Sequence, residues 1–242
     1  MQTVAVLASR VLTTQRQYTA VADNVANANT TGFRRLKLDF KEVSGQYHGK
    51  TVASYVADRS IHVVQQQGTF KDTGNPLDFA ISGNGFFAIN VNGTREYTRN
   101  GQFVLDANGM LVTPQGYNVL DNAGTPIQFS QTVQSIRIAT DGTISTEEGQ
   151  LGTLGVYAFN QADMGKLQRA GNTAFIPTNG ATAQVAESPN VRQGYLEESN
   201  VNPVQEMVNM QTASKAYENS LNLLQGVEDL QKTTIQTLGG LQ

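Results

Sequence analysis

The run from Asn202 to Leu224, NPVQEMVNMQTASKAYENSLNLL, is where β-rich text gives way to a helix. Asn202 is a good N-cap, Pro203 fits the first helical position, and Gln205 stands where a capping-box partner would be. From there Met207, Met210, Ser214, Tyr217, Leu221 and Leu224 step by alternating threes and fours. That is one narrow apolar stripe, the pattern of a coiled-coil seam. The spacing predicts a helix to about Leu238, ahead of Gly239-Gly240. After Leu224 the stripe drifts one position off register through Val227, Leu230 and Thr234, so one face does not meet one partner throughout.

The other end of the chain is written the same way. Val4, Val11, Tyr18 and Val25 form one heptad row, and Leu7, Thr14, Val21 and Ala28 form a second. This predicts a helix from about residue 2 to 28, ending where Asn24, Asn27 and Asn29 accumulate and Thr30, Thr31 and Gly32 supply a stop. The charges suit a pairing of the two ends. Residues 1–38 carry net +4, with Arg10, Arg16, Arg34, Arg35 and Lys37 against Asp23. Residues 195–242 carry net −4, with six acidic residues against Lys215 and Lys232. Opposite signs steer helices together, although each exposed ion pair contributes only about 0.2–1 kcal/mol.

Between the ends the text is β. Asn-Gly or Asp-Gly occurs at 84–85, 92–93, 100–101, 108–109, 141–142 and 179–180, the strongest short hairpin signal. Short β-rich runs separate these turns: Phe86–Val91, Gln102–Leu105, Met110–Thr113, Ser135–Ala139 and Gly155–Phe159. Turns this frequent predict antiparallel meanders, not βαβ units. Residues 33–72 hold few turn signals and read as an extended, partly stranded connector that includes the alternating run Ser60–Val64. The expected class is therefore α+β: a 1–32 helix, a 33–72 connector, a 73–194 antiparallel β domain and a 195–242 helix, with the terminal helices packed as a coiled-coil-like assembly domain.

Composition narrows the function classes. Net charge is −3, which gives no basic field for nucleic acid. No run of 18 apolar residues exists to span a membrane. There is no Cys, which removes disulfides, thiolate metal sites and thiol catalysis. Gly83–Ala88 fits the loose dinucleotide fingerprint but is followed by β pattern instead of a helix. Asp106-Ala107-Asn108-Gly109 opens like a calcium loop, yet Tyr117 stands where the bidentate Glu belongs. His48 and His62 have no carboxylates spaced to complete a zinc site. No G-x-S-x-G elbow, P-loop or paired carboxylates appear, so no catalytic, metal or cofactor residues are expected.

Three stretches carry a family resemblance. Asn24-Val25-Ala26-Asn27-Ala28-Asn29-Thr30-Thr31-Gly32-Phe33 is similar to the motif that closes the N-terminal helix of the flagellar basal-body rod and hook proteins. Thr73–Phe87, with Tyr97-Thr98-Arg99-Asn100-Gly101, is similar to the entry to their β domain. Leu196-Glu197-Glu198-Ser199-Asn200-Val201-Asn202, followed by Glu206-Met207, is similar to the start of their C-terminal helix. The resemblance covers the chain from end to end, with Pro203 as a harmless departure. It implies a structural subunit of the rod, a periplasm-crossing tubular drive shaft that encloses an export channel. Its partners would be copies of itself, other rod proteins and the flagellar type III export apparatus. The short connector looks most like proximal-rod members, since distal-rod members carry a longer insertion there. Delivery would need no cleaved signal peptide, in keeping with an N-terminus that lacks a basic start and greasy core.

The expected assembly interface is Val4, Leu7, Val11, Tyr18, Val21, Val25, Asn24, Asn27, Asn29, Gly32 and Phe33 at one end. At the other it is Ser199, Asn200, Val201, Asn202, Glu206, Met207, Met210, Tyr217, Leu221 and Leu224. The motifs also have local readings. Gly32 supplies positive φ where the helix must stop, and Phe33 is thrown out as an anchor. A competing class, a ligand-binding β domain with helical extensions, would need aromatic platforms or paired carboxylates. The Tyr and Phe residues instead sit at alternating strand positions, which reads as core.

Overall fold

The computed structural model describes residues 2–47, 50–130, 133, 135–171 and 173–239, and side chains within these except at 2–3, 40–62, 235 and 238–239. His48 and the side chain of His62 lie outside the described residues. The chain is α+β, with a helix at each end and antiparallel β structure between. It divides into two compact units: residues 1–26, 36–62 and 202–242 form one, and residues 27–35 and 63–201 the other.

The helical unit is built on α1 (Gln2–Ala26), which packs against a much longer C-terminal helix, Pro203–Gly239. The long helix starts as its sequence requires. Asn202 Oδ1 accepts from the Gln205 amide at 3.1 Å, while the Gln205 side chain donates forward to Asn209, so only half of the capping box is made. The unit also holds a two-stranded ribbon, β1 (Leu36–Tyr47) with β2 (Lys50–Val63). Part of the 33–72 stretch is thus a paired hairpin.

In the β unit every strand pairing is antiparallel. The central hairpin joins Phe86–Val91 to Thr94–Thr98, with Val91 opposite Thr94. The two-residue turn is Asn92-Gly93, both at positive φ (51° and 86°), which Asn and Gly tolerate and which matches the twist of the strands. Around this hairpin Phe79, Phe87, Phe103, Leu111, Val119 and Leu154 bury completely or almost so. The Phe87 and Phe103 rings meet edge to face at 5.4 Å. Asn100-Gly101 is not a hairpin turn. The residue is glycine because a Cβ there would fall 1.8 Å from the Phe79 carbonyl oxygen.

A short helix, α2 (Gln161–Met164), interrupts the β text, capped by Asn160 Oδ1 accepting from the Asp163 amide. The C-terminal helix Pro203–Gly239 is α3.

Candidate assembly interface

Two arrangements stand out, one in each unit. In the helical unit, α1 and α3 approach mainly through small or polar residues. The buried positions are Thr13, Ala20 and Asn24 on α1, and Glu206, Ala213 and Ser220 on α3 at a seven-residue spacing. Thr13 and Ser220 donate their hydroxyls to carbonyls one turn back, at 2.8 and 2.7 Å, so the seam buries no unsatisfied hydroxyl there. At one end Asn24 Nδ2 donates to Glu206 Oε2 at 3.2 Å. The same Asn24 side chain exchanges both amide bonds with Leu36, receiving from its N–H at 2.8 Å and donating to its carbonyl at 2.9 Å. One buried amide therefore ties together α1, α3 and the start of β1.

The larger apolar residues flank this seam. Val4, Leu7, Val11, Val21 and Val25 are half-buried, as are Met210, Tyr217, Leu221 and Leu224. Tyr18 (39 %) and Met207 (51 %) are exposed, and so are Leu12, Val204, Val208 and Leu223. Tyr18, Met207 and Met210 line an open groove of about 560 Å³ on the helix pair. α3 has 37 residues against 25 for α1. With Asn24 beside Glu206 and equal rise, the start of α1 falls opposite about residue 228. Beyond that point α3 has no cover from α1, and Leu230 is 68 % exposed. An apolar face left open along two helices marks an interaction surface.

In the β unit the three signature stretches converge on Glu197. Its carboxylate, 1 % exposed, pairs with Arg34 Nη2 at 2.6 Å and with Arg99 Nη1 at 3.2 Å. It also accepts from the Gly68 amide at 3.3 Å. Arg34 Nη1 reaches the carbonyls of Gln65 and Gln66, and Arg99 reaches those of Ile81 and Gly83. Burial holds the Arg34 guanidinium below its ordinary pKa, with Glu197 opposing the shift. Arg99 is held to about 10, first by burial and then by the neighbouring Arg34 charge, again against Glu197.

The rest of both motifs is spent here. The Gly32 amide donates to the Glu197 carbonyl at 2.7 Å. Gly32 sits at φ 70°, and a Cβ on it would fall 2.2 Å from the Asn100 amide nitrogen. It is glycine for two reasons, turn and contact, of which the sequence suggested the first. Phe33 is fully buried, with the Arg169 guanidinium 4.1 Å above its ring. Asn200 receives the Arg35 amide at 2.7 Å and donates to the carbonyls of Val64 and Gln66. Asn27 binds Thr30 within the turn, Asn29 is exposed, Ser199 Oγ accepts from the Val201 amide, and Val201 is buried. Among the described residues, no group of three metal-ligating side chains comes together and no helix is long and apolar enough to cross a membrane.

Models of three protein families match the chain. The flagella basal body rod protein family matches residues 5–34, the flagellar hook protein FlgE/F/G D1 domain residues 80–146, and the flagellar basal body rod FlgEFG protein C-terminal family residues 192–237. The flagellar basal-body rod protein FlgF of Rhizobium meliloti is 37% identical over 99% of this chain and 99% of its own length. That of Mesorhizobium japonicum is 34% identical over 93% of this chain and 92% of its own. The rod protein FlgG of Agrobacterium fabrum is 30% identical over 95% of this chain and 97% of its own.

The chain belongs to the flagellar basal-body rod family, whose members are structural proteins, and it is a rod subunit of the bacterial flagellar basal body. Within the family it resembles FlgF more than FlgG. Membership implies association with further copies and with neighbouring rod proteins.

Proposed function

We propose that this subunit sits in the proximal rod and assembles through the outer faces of α1 and α3, which pack in coiled-coil fashion against neighbouring copies. The faces are Val4, Leu7, Val11, Tyr18, Val21 and Val25 on α1, and Met207, Met210, Tyr217, Leu221 and Leu224 on α3. The observation that carries this reading is the division of labour along each helix. Mainly small or polar residues make the contact within the subunit, and the large apolar ones are left partly or wholly open. In this reading the helices form the wall of a tube that encloses the export channel, and the β unit lies outside it. The flagellar type III apparatus delivers the chain without cleaving it.

Torque enters through the helices and must reach the rest of the subunit. Long helices that each touch several neighbours resist twist better than strand edges do. The segments that join the units are held at both ends by buried polar contacts, Asn24 in the helical unit and Glu197 and Asn200 in the β unit. Asn27, Asn29, Gly32, Phe33, Ser199, Asn200, Val201 and Asn202 serve the assembly indirectly, through the turns that follow α1 and precede α3.

The test is a charge placed in each face. Val11→Asp and Leu221→Asp bury an unpaired carboxylate or push the copies apart. Each is expected to abolish motility while the β unit keeps its melting transition. Gln15→Glu and Gln225→Glu, at exposed positions, are expected to be tolerated. Motile cells with intact rods carrying either aspartate would overturn the reading.

A further inference from the structure

Beside the Glu197 cluster the β unit holds a partly open cavity of about 100 Å³, lined by Arg34 and Arg99, by the polar residues Asn84 and Gln161, and by Phe86 and Phe159 among others. Its charge does not balance. Two arginines, 3 % and 4 % exposed, face one buried carboxylate, that of Glu197. Arg34 Nε and Arg99 Nε are both buried and have no hydrogen-bond partner among the described residues. A buried N–H without a partner is costly, more so on a charged group.

The two arginines that carry these donors both line the cavity. A cavity needs about 10–15 Å³ for each water, so this one has space for a few waters or for one small ion. Guanidinium groups bind oxyanions through paired N–H donors, and a charge-assisted bond to a buried guanidinium is stronger than a neutral one. We propose that the cavity is a binding site for a small oxyanion, phosphate or a simple carboxylate, which completes the charge of the Arg34–Glu197–Arg99 cluster. The depressed pKa of Arg99 agrees, because an anion beside it would oppose the shift that burial and Arg34 impose. The site is separate from the helix faces, so it stands whether or not those faces carry assembly.

The purified full-length chain tests this. The melting of the β unit is followed in sodium phosphate, sodium acetate and sodium chloride at matched ionic strength, and the heat of binding is titrated with phosphate and with acetate. Saturable binding near one ion per chain is expected for at least one of the two, and the tighter one names the oxyanion. At about five times its dissociation constant, mass action raises the transition by roughly 2–4 °C over chloride for a chain of this size. Phosphate also stabilises proteins by exclusion from their surfaces. Asn84→Asp separates the two effects, since it supplies a carboxylate at the cavity wall. It is expected to melt higher than the parent in chloride and to lose the anion-specific rise. No saturable binding, an equal rise in both proteins, or a lower transition for Asn84→Asp in chloride would each overturn the proposal and leave water as the partner of the two Nε groups.

Discussion

The β unit and the helical unit bury themselves in opposite ways. The β unit closes on large aromatic and aliphatic side chains, Phe79, Phe87, Phe103 and Leu111 among them, and leaves few large apolar groups outside. The helical unit closes on Thr13, Ala20, Ala213 and Ser220 and leaves Leu12, Tyr18, Met207 and Leu230 open. Burying a Val or Leu contributes about 1.5–3 kcal/mol, whereas ordering each residue's backbone costs about 1–2 kcal/mol. A seam of small residues cannot offset that cost along two long helices. Under the proposed function the β unit stands alone and the helical unit is completed by other copies.

The largest expected effect lies in the β unit. Glu197→Gln leaves Arg34 and Arg99 buried without a countercharge, and removing one member of a buried ion cluster costs about 3–5 kcal/mol. Chemical denaturation followed on the β unit is expected to show that loss. A change below about 1 kcal/mol would mean that the carbonyls around the two arginines already satisfy them, and that the self-sufficiency of this unit rests on its aromatic core alone.

An intermediate effect lies in the helical seam. Ala213 is buried where α3 meets α1. Ala213→Leu overpacks that approach at a cost of about 1–3 kcal/mol. Motility is expected to fall while the β-unit transition stays in place. Full motility would show that the approach through small residues is not kept in the rod.

The smallest effect concerns Glu96, a residue 8 % exposed whose carboxyl pKa is raised by burial. A raised carboxyl pKa means stability that is present at acid pH and lost as pH rises through the folded value. Glu96→Gln removes that loss. The variant is expected to match the parent at pH 4 and to melt slightly higher at pH 7. Equal transitions at both would show that the burial of this charge carries no cost.

What the sequence made legible follows the same division. The helix ends were readable because Asn202-Pro203 and the Asn-rich turn before Gly32 are local signals. The hairpin at Asn92-Gly93 was readable for the same reason. The seam between α1 and α3 was not, because the largest apolar residues drew attention to rows beside it. The signal was available in Glu206, Ala213 and Ser220, seven residues apart, two of them small enough to allow a close approach. The pairing of β1 with β2 carried no comparable turn signature. The motif residues Arg99 and Glu197, and Arg34 just past the first motif, were visible as text, but their convergence joins positions 65 to 163 apart in the sequence, which no local pattern encodes.

Hydrogen exchange, measured on the dilute subunit and on the assembled rod, distinguishes a helical unit completed by its neighbours from one that is stable alone. In the free subunit strands such as Phe86–Val91 and Thr94–Thr98 are expected to be strongly protected, and residues 1–30 and 205–239 largely unprotected. In the rod both regions are expected to be protected. Strong protection of the terminal helices in dilute solution, equal to that of the β strands, would contradict the account, because the helical unit would then need no neighbour to complete it.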